Sequence, residues 1–591
     1  MTRFFRWWPF LGLLLIFVTY LLTFPMTVQG GDTGELVANS FFLRVSHPPG
    51  YPLFHLLYHL PVRYLSFSTA FGRASLLTLL ISLGWMTLVA RHFRSGLQIL
   101  MLMAMATGLV FWRYSILPDV FALHLFFLSL LFIIFIRPRL LERASVIALM
   151  ALAVAHHHTI AFGFPLYLYA LLRVKRKRAW VLSLVFGLLA FGLYFLLLFF
   201  HPLDFSSWFE LRSATDVLNH FLRKEYGTFH LAVNKVNDTV AAMDFGLQEL
   251  ATSYWSVLLV FCFALWRGVK TKTLAWRQPV LLAFCLLAYV SVFLGLGSIP
   301  LDLTGQEVFS RFLLQGLLWF FFLTLLLTRN VKLPGFLAAL VGANVLLNLW
   351  SHGNANNFQK NTLIEDAAIN NLKSLPEKSV YAAMGDTEGY STYYVRDVLG
   401  VRPDVILTHA DGDFGWSGQK LEKFYPDAYQ GNGAHILDRI NLEKFAFFTN
   451  FAYTVVPAYV QVTRYGLIYR YQKVPLAHPP VRFECGVGEG YQWRYHPVLA
   501  DFAHFNHGYL LSLRNGECYF NQGLQALAAG DKEGALAAFN RSLEIAPFSV
   551  KVLERKCRVL ELIHDTTLTS CNKTFEELVN VESKQYFLHT F

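Results

Sequence analysis

Residues 144–172 read ASVIALMALAVAHHHTIAFGFPLYLYALL, and how this stretch crosses a bilayer decides the threading of the whole chain. A single upright span needs roughly 17 to 25 mostly apolar residues. This stretch is longer, and His156, His157, His158 and Thr159 interrupt its middle. Ionisable side chains are costly in hydrocarbon and favour a polar setting. The stretch therefore predicts two short helices that meet at the histidines.

Working outward, apolar segments near 9–27, 74–90, 96–112, 119–136, 179–200, 251–266, 279–297, 311–328 and 333–350 also qualify as spans, each bounded by Arg, Lys or a polar break. With the hairpin this makes eleven expected crossings. The composition agrees: of 591 residues, 55% are hydrophobic and only 15% charged, with a mean hydropathy of +0.42. Soluble domains carry about a quarter charged residues, so a purely soluble enzyme is excluded.

Charge placement tests the threading separately from hydropathy. Residues 1–350 hold 27 Lys+Arg against 13 Asp+Glu, a net of +14, whereas the remainder holds 23 against 26, a net of −3. With the N-terminus inside, the loops 1–8, 91–95, 137–143, 173–178, 267–278 and 329–332 face the cytoplasm. They hold 18 of the 27 cations and one of the 13 acids, Glu142. That is the positive-inside pattern, and it accounts for the overall charge of +11 without a nucleic-acid partner. Were 144–172 a single crossing, Arg173, Lys175, Arg176, Lys177 and Arg178 would be exported. The first span follows Arg3 and Arg6 and ends in Phe24-Pro25-Met26-Thr27 without a small-residue cleavage site, so it reads as an uncleaved anchor.

Three units are expected: a transmembrane catalytic module over 1–350, an α/β domain over 351–510 on the outer side, and tetratricopeptide-like helices over 511–591. In the second unit, Ser379 to Met384 predicts a strand, Gly389 to Leu399 a helix and Asp404 to Thr408 a second strand. The Gly385-Asp386 turn at the first strand's end is weak evidence for a ligand site. In the third, Gly523, Ala526, Gly530, Ala535, Phe539 and Pro547 take the positions at which a tetratricopeptide repeat packs and terminates its helices, with a second pair expected over about 550–582. Cys485, Cys518, Cys557 and Cys571 lie outside the spans and permit two disulfides, with connectivity open. No cysteine spacing resembles a zinc site, so no metal is assigned.

The first outer loop, 30–73, is where chemistry is expected. It opens with Gly30-Gly31-Asp32-Thr33-Gly34-Glu35, two carboxylates at the point where the first span leaves the membrane. The flanking glycines permit close approach to Asp32. Asp32 or Thr33 with Glu35 equally fits a helix capping box. Then come His47-Pro48-Pro49-Gly50-Tyr51-Pro52, a rigid turn, and an amphipathic segment Leu53 to Val62 suited to lying in the membrane plane. Asp119, the His156–Thr159 apex, Arg223-Lys224-Glu225-Tyr226, and Glu307 with Arg311 fall on the same outer side. Carboxylates beside cations suit a reaction in which a hydroxyl loses a proton to a base while an activated phosphate departs. Taken singly, each of these groups also has an ordinary structural reading.

GGDTGEL at 30–36 with HPPGYPLF at 47–54 resembles the signature of the integral-membrane C-type glycosyltransferases related to the eukaryotic O-mannosyltransferase of plexin and receptor-kinase ectodomains. Tyr114-Ser115, Asp119 to Leu123, His158-Thr159, Phe221 to Phe229, Gly385-Asp386 and Gly400 to Asp404 follow in the family's order, so the resemblance covers roughly 8–410. Two departures are an aspartate at 119 where the family suggests glutamate, and His156-His157 where it tends to carry amides.

The resemblance implies a C-type helical fold and an inverting transfer of a sugar, mannose by likeness, from a polyprenyl-phosphate donor to a hydroxyl at the outer face. It makes Asp32 the catalytic base. Arg311, with Arg223, Lys224 or His158, would meet the leaving phosphate, while Glu35, His47, Asp119, Tyr51 and Tyr226 would bind or orient substrate. No cofactor beyond the lipid-linked donor is expected. Ser/Thr of a protein is the expected acceptor, with a glycolipid or polysaccharide as the alternative and a transporter less favoured. A bacterial inner membrane, with the active site and tail in the periplasm, is the expected location.

Overall fold

A computed structural model describes residues 8–93, 95–200, 208, 211–226, 239–273, 275–296, 303–329, 331–409, 421–431, 436–453, 455–475, 481–494 and 507–590. Among the described residues, four helices are long and apolar enough to cross a membrane: Ala70–Ala90, Lys177–Phe199, Gly305–Thr328 and Gly335–His352. Counting each bent pair as one span gives up to six, and five shorter apolar helices accompany them. Each segment expected to cross overlaps one of these helices or pairs.

Two breaks shape the bundle. Gly96–Thr107 and Leu109–Ile116 meet at 71°, and Thr239–Ser253 meets Trp255–Lys270 at 90°. The breaks interlock, since Gly108 sits at the first and Tyr254 at the second, and a side chain on Gly108 would collide with the Tyr254 ring. The 144–172 stretch is broken where its histidines stand. His157 is extended, at φ −145° and ψ 124°, between the short helical turns Leu152–Ala155 and His158–Gly163.

Within the 30–73 stretch the chain forms two helices, Thr33–Phe42 and Pro52–Tyr64. Pro52 stands in the first turn of the second, where its missing N–H removes no helical bond. That helix buries Phe54, His55, Tyr58 and Val62 and leaves Leu57, Leu60 and Tyr64 exposed, so both faces are apolar, as suits a helix lying at a lipid surface.

Beyond the last apolar helix, a six-stranded sheet runs in the order β2-β1-β3-β5-β4-β6. Its strands are β1 Ser379–Ala383, β2 Ile406–His409, β3 Ala446–Thr449, β4 Val460–Tyr465, β5 Ile468–Lys473 and β6 Arg482–Glu484. β1 is parallel to both β2 and β3, while β5 is antiparallel to β3 and β4. The helix after β1 begins at Asp386, three residues before the expected start, because Gly385 turns the chain at once with φ +85°. Gly389 lies inside that helix, in close contact with the carbonyl of Ala383.

The sheet unit packs against the 30–73 stretch. A Cβ on Gly34 would lie 2.5 Å from the Tyr390 carbonyl oxygen, so the Thr33–Phe42 and Asp386–Tyr393 helices touch backbone to backbone. Arg44 pairs with Asp397 at 2.7 Å, both buried. The Val28 N–H donates to Glu365 in the Leu363–Ser374 helix at 3.1 Å.

At the C-terminus, His507–Ala528 and Lys532–Ile545 form a helix pair whose contact needs the absent side chain of Gly523, against the Phe539 ring. Val550–Leu562 and Leu568–Thr590 follow. Both disulfides form, as Cys485–Cys518 and Cys557–Cys571.

Candidate active site

Asp32 caps the Thr33–Phe42 helix by position, yet its carboxylate makes no capping hydrogen bond. The Thr33 hydroxyl donates back to the carbonyls of Gln29 and Gly30, at 2.9 and 3.0 Å. Glu35 turns to His47 instead. The capping-box alternative therefore does not hold, and the Asp32 carboxylate is left for the site.

Arg311 contacts Asp32 directly through Nη1, which also stands 3.9 Å from Asp119 Oδ2. Gly31 makes this approach possible. It adopts φ +66°, and a Cβ there would stand 3.2 Å from Arg311 Nη2. Glu35 is buried and grips His47 twice, accepting its backbone N–H at 2.7 Å and facing Nδ1 at 2.5 Å. The ring's other nitrogen, Nε2, is thereby aimed inward, 3.8 Å from Asp32 Oδ2 and 3.3 Å from the Tyr51 hydroxyl.

These charges set one another's protonation. Burial pushes the Asp32 carboxyl up, but Arg311 and then His47 outweigh it and hold the group below the ordinary carboxylate range. Burial alone would lower the His47 imidazole; Glu35 and then Asp32 reverse this and bring it up to about 9. At neutral pH the site thus holds an ionised Asp32 between a guanidinium and an imidazolium.

Around this centre, Tyr51 stacks on His157 and His157 on His158, with ring centroids 5.9 and 5.0 Å apart. His158 is half-buried, and its Nδ1 has no hydrogen-bond partner among the described residues. Arg223 donates to the Pro48 carbonyl at 2.9 Å and lies 4.7 Å from the Tyr226 ring centroid. Tyr226 in turn stacks on Trp208. Asp119 is buried and accepts the N–H of Val120 at 2.6 Å. Lys224 is exposed and joins none of these contacts. The 227–229 part of its motif lies outside the described residues.

The sheet unit adds Thr387, which the sequence did not single out, beside Asp386 of the Gly385-Asp386 turn. Thr387 Oγ1 accepts the N–H of Gly31 at 2.9 Å, one residue before Asp32. Asp386, which opens the Asp386–Tyr393 helix, is exposed. The Gly385-Asp386 turn was the available signal, but nothing local in the sequence says which surface it meets. Among the described residues no group of three or more His, Cys, Asp or Glu side chains is placed to hold a metal ion.

Residues 32–180 match the family model described as the Protein O-mannosyl-transferase TMEM260 N-terminal domain. The chain is 26% identical over 467 residues to Protein O-mannosyl-transferase TMEM260 of Mus musculus, covering 69% of this chain and 63% of that protein. It is 25% identical over 358 residues to Protein O-mannosyl-transferase tmem260 of Dictyostelium discoideum, covering 51% of this chain and 42% of the relative. The chain thus spans less than two thirds of the length of these curated relatives. Among solved structures, ArnT from Cupriavidus metallidurans bound to undecaprenyl phosphate aligns with a TM-score of 0.51 and 11% identity, over 81% of this chain and all of ArnT. In fold, the chain is similar to ArnT.

Asp32, Glu35, His47, Tyr51, Asp119 and His158 fall within the segment matched by the family model. Arg223, Tyr226, Arg311 and Asp386 are brought to them from outside it.

Proposed function

We propose that the chain transfers a sugar, mannose by likeness to the curated relatives, from a polyprenyl-phosphate donor to a hydroxyl, a Ser or Thr of a protein, at the outer membrane face. The observation that carries this reading is the ionised Asp32 carboxylate held between Arg311 and His47 at the top of the apolar helices. ArnT, whose fold the chain shares, has been solved with undecaprenyl phosphate bound. This supports a lipid-linked donor here as well.

In the proposed reaction the acceptor hydroxyl attacks the anomeric carbon from the face opposite the phosphate. Asp32 takes the hydroxyl proton, the new C–O bond forms, and the bond to the phosphate oxygen breaks with its electron pair. Configuration inverts. Arg311, aided by Arg223 and the His47 imidazolium, supplies positive charge for the departing polyprenyl phosphate. Charge-assisted bonds of this kind act strongly in a site that excludes water. Glu35 works through His47 by fixing the ring, and Asp119 steadies Arg311 from its other side. The reading further places eleven crossings and the catalytic module in 1–350, an α/β domain over 351–510 and tetratricopeptide-like helices over 511–591. The outer face corresponds to the periplasm of a bacterial inner membrane.

The test is transfer of radiolabelled sugar by the full chain in detergent, from polyprenyl-phosphate mannose and a panel of other polyprenyl-phosphate sugars, to Ser/Thr peptides, to glycans and to water. Labelled peptide with inverted anomeric configuration supports the reading. Label only on a glycan replaces the acceptor, and no turnover with any donor defeats the assignment.

A further inference from the structure

Three carboxylates of the outer loop and the bundle mouth, Asp32, Glu35 and Asp119, are each engaged by protein groups. A fourth, Asp386, makes no hydrogen bond among the described residues. It nevertheless stands beside the same centre: the next residue, Thr387, accepts the N–H of Gly31 at 2.9 Å, and the helix that Asp386 opens meets the Thr33–Phe42 helix at Gly34. Asp386 thus borders the reaction centre from the sheet unit.

The sheet topology gives an independent reason to expect a ligand there. β1 lies between β2 and β3 and is parallel to both, so the chain leaves β1 for one neighbour and later returns on the other side. Ligands of open α/β sheets bind outside the carboxyl ends of strands at such a reversal of strand order. Gly385 and Asp386 occupy that end of β1.

The end is open and braced from behind. Met384, Gly385 and Asp386 are exposed, although β1 before them and most of the helix after them are buried. Among the described residues, chain neighbours aside, no atom lies within 4 Å of where a side chain on Gly385 would stand. Asn450 binds both backbone groups of Met384, at 2.7 and 2.8 Å, and donates to Glu388 at 2.8 Å. Arg514 of the C-terminal helices pairs with Glu388 as well. Sheet and helical tail together therefore fix the turn that presents Asp386.

We infer that the carboxyl end of β1 is the acceptor subsite and that Asp386 accepts a hydrogen bond from the hydroxyl-bearing peptide, holding it over Asp32. This rests on the transferase reading above and deepens it. The donor approaches along the apolar helices and the acceptor arrives over the sheet, so one carboxylate receives the proton and the other positions its source. Asp386 binds the acceptor and leaves the donor alone.

The test uses the full chain in detergent with polyprenyl-phosphate mannose, or whichever donor the panel selects, and a Ser/Thr peptide that the wild type modifies. Acceptor and donor KM are measured separately for Asp386→Asn and Asp386→Glu, with thermal midpoints to confirm folding. The inference expects Asp386→Asn to raise the peptide KM at least tenfold while donor KM stays within twofold, and Asp386→Glu to recover most of the peptide KM. A peptide KM within twofold of wild type for a folded Asp386→Asn overturns the inference alone. So does a donor KM that rises in step with the peptide KM. A wild type that moves no sugar from any donor overturns the transferase reading and this inference with it.

Discussion

Nδ1 of His47 stands 2.5 Å from Glu35 Oε2, and this contact leaves Nε2 of the same ring 3.8 Å from Asp32. The imidazole is thus a charged link between two carboxylates. Burial opposes the charge, but Glu35 and then Asp32 raise the group from an ordinary 6.5 to about 9. A folded-state pKa above the unfolded value stabilises the protonated form. The contribution is full below pH 6.5 and is lost as pH rises through about 9. Transfer is expected to decline on the alkaline side around pH 9, and His47→Gln should remove that limb from the pH–rate profile. A wild-type profile flat from pH 7 to 10 would count against the ionised link.

Arg311 is the cation on which two carboxylates depend. Replacing it by Met would leave Asp32 and Asp119 facing each other without it, and breaking a buried ion pair costs about 3–5 kcal/mol. Arg311→Met should therefore lower the unfolding midpoint in detergent markedly. Arg311→Lys keeps the charge but not the planar fork, so it should retain most of the stability while donor KM rises at least tenfold. Equal stability losses for the two variants would show that charge is not what Arg311 supplies.

Gly34 gives a prediction whose sign decides it. In an exposed helix interior, Gly→Ala gains about 0.5–1 kcal/mol. Here the added methyl would stand 2.5 Å from the Tyr390 carbonyl oxygen, and overpacking of this kind costs about 1–3 kcal/mol. Gly34→Ala should lower the thermal midpoint and reduce transfer, because it pries the sheet unit from the helix that carries Asp32. A raised midpoint would mean that the two helices are not in backbone contact.

Much of this was legible in the sequence because the physics acting on it is local. A run of histidines in an apolar stretch demands a break, and His157 is extended where the break was expected. Asp32, Glu35, His47 and Tyr51 fall within twenty residues of one another, so one loop brings them together. Arg311 was legible as a cation entering a span beside Glu307, although its contact with Asp32 was not. Asp386 and Thr387 were harder, since their place depends on a sheet more than 350 residues away packing on Gly31 and Gly34. Nothing in the local pattern encodes that contact. The helix start at Asp386 was misplaced for a similar reason: Gly389 reads as a boundary but serves as a contact point against β1.

The central claim is that Asp32 takes the acceptor proton. Its most direct test is a single-turnover measurement of sugar transfer from polyprenyl-phosphate donor to peptide by wild type and by Asp32→Asn, with donor binding followed in parallel. A positioned general base contributes about 10²–10⁴-fold. Asp32→Asn should lose transfer by a factor in that range while folding and donor binding are kept. Turnover within a few-fold of wild type by a folded, donor-binding Asp32→Asn would contradict the account.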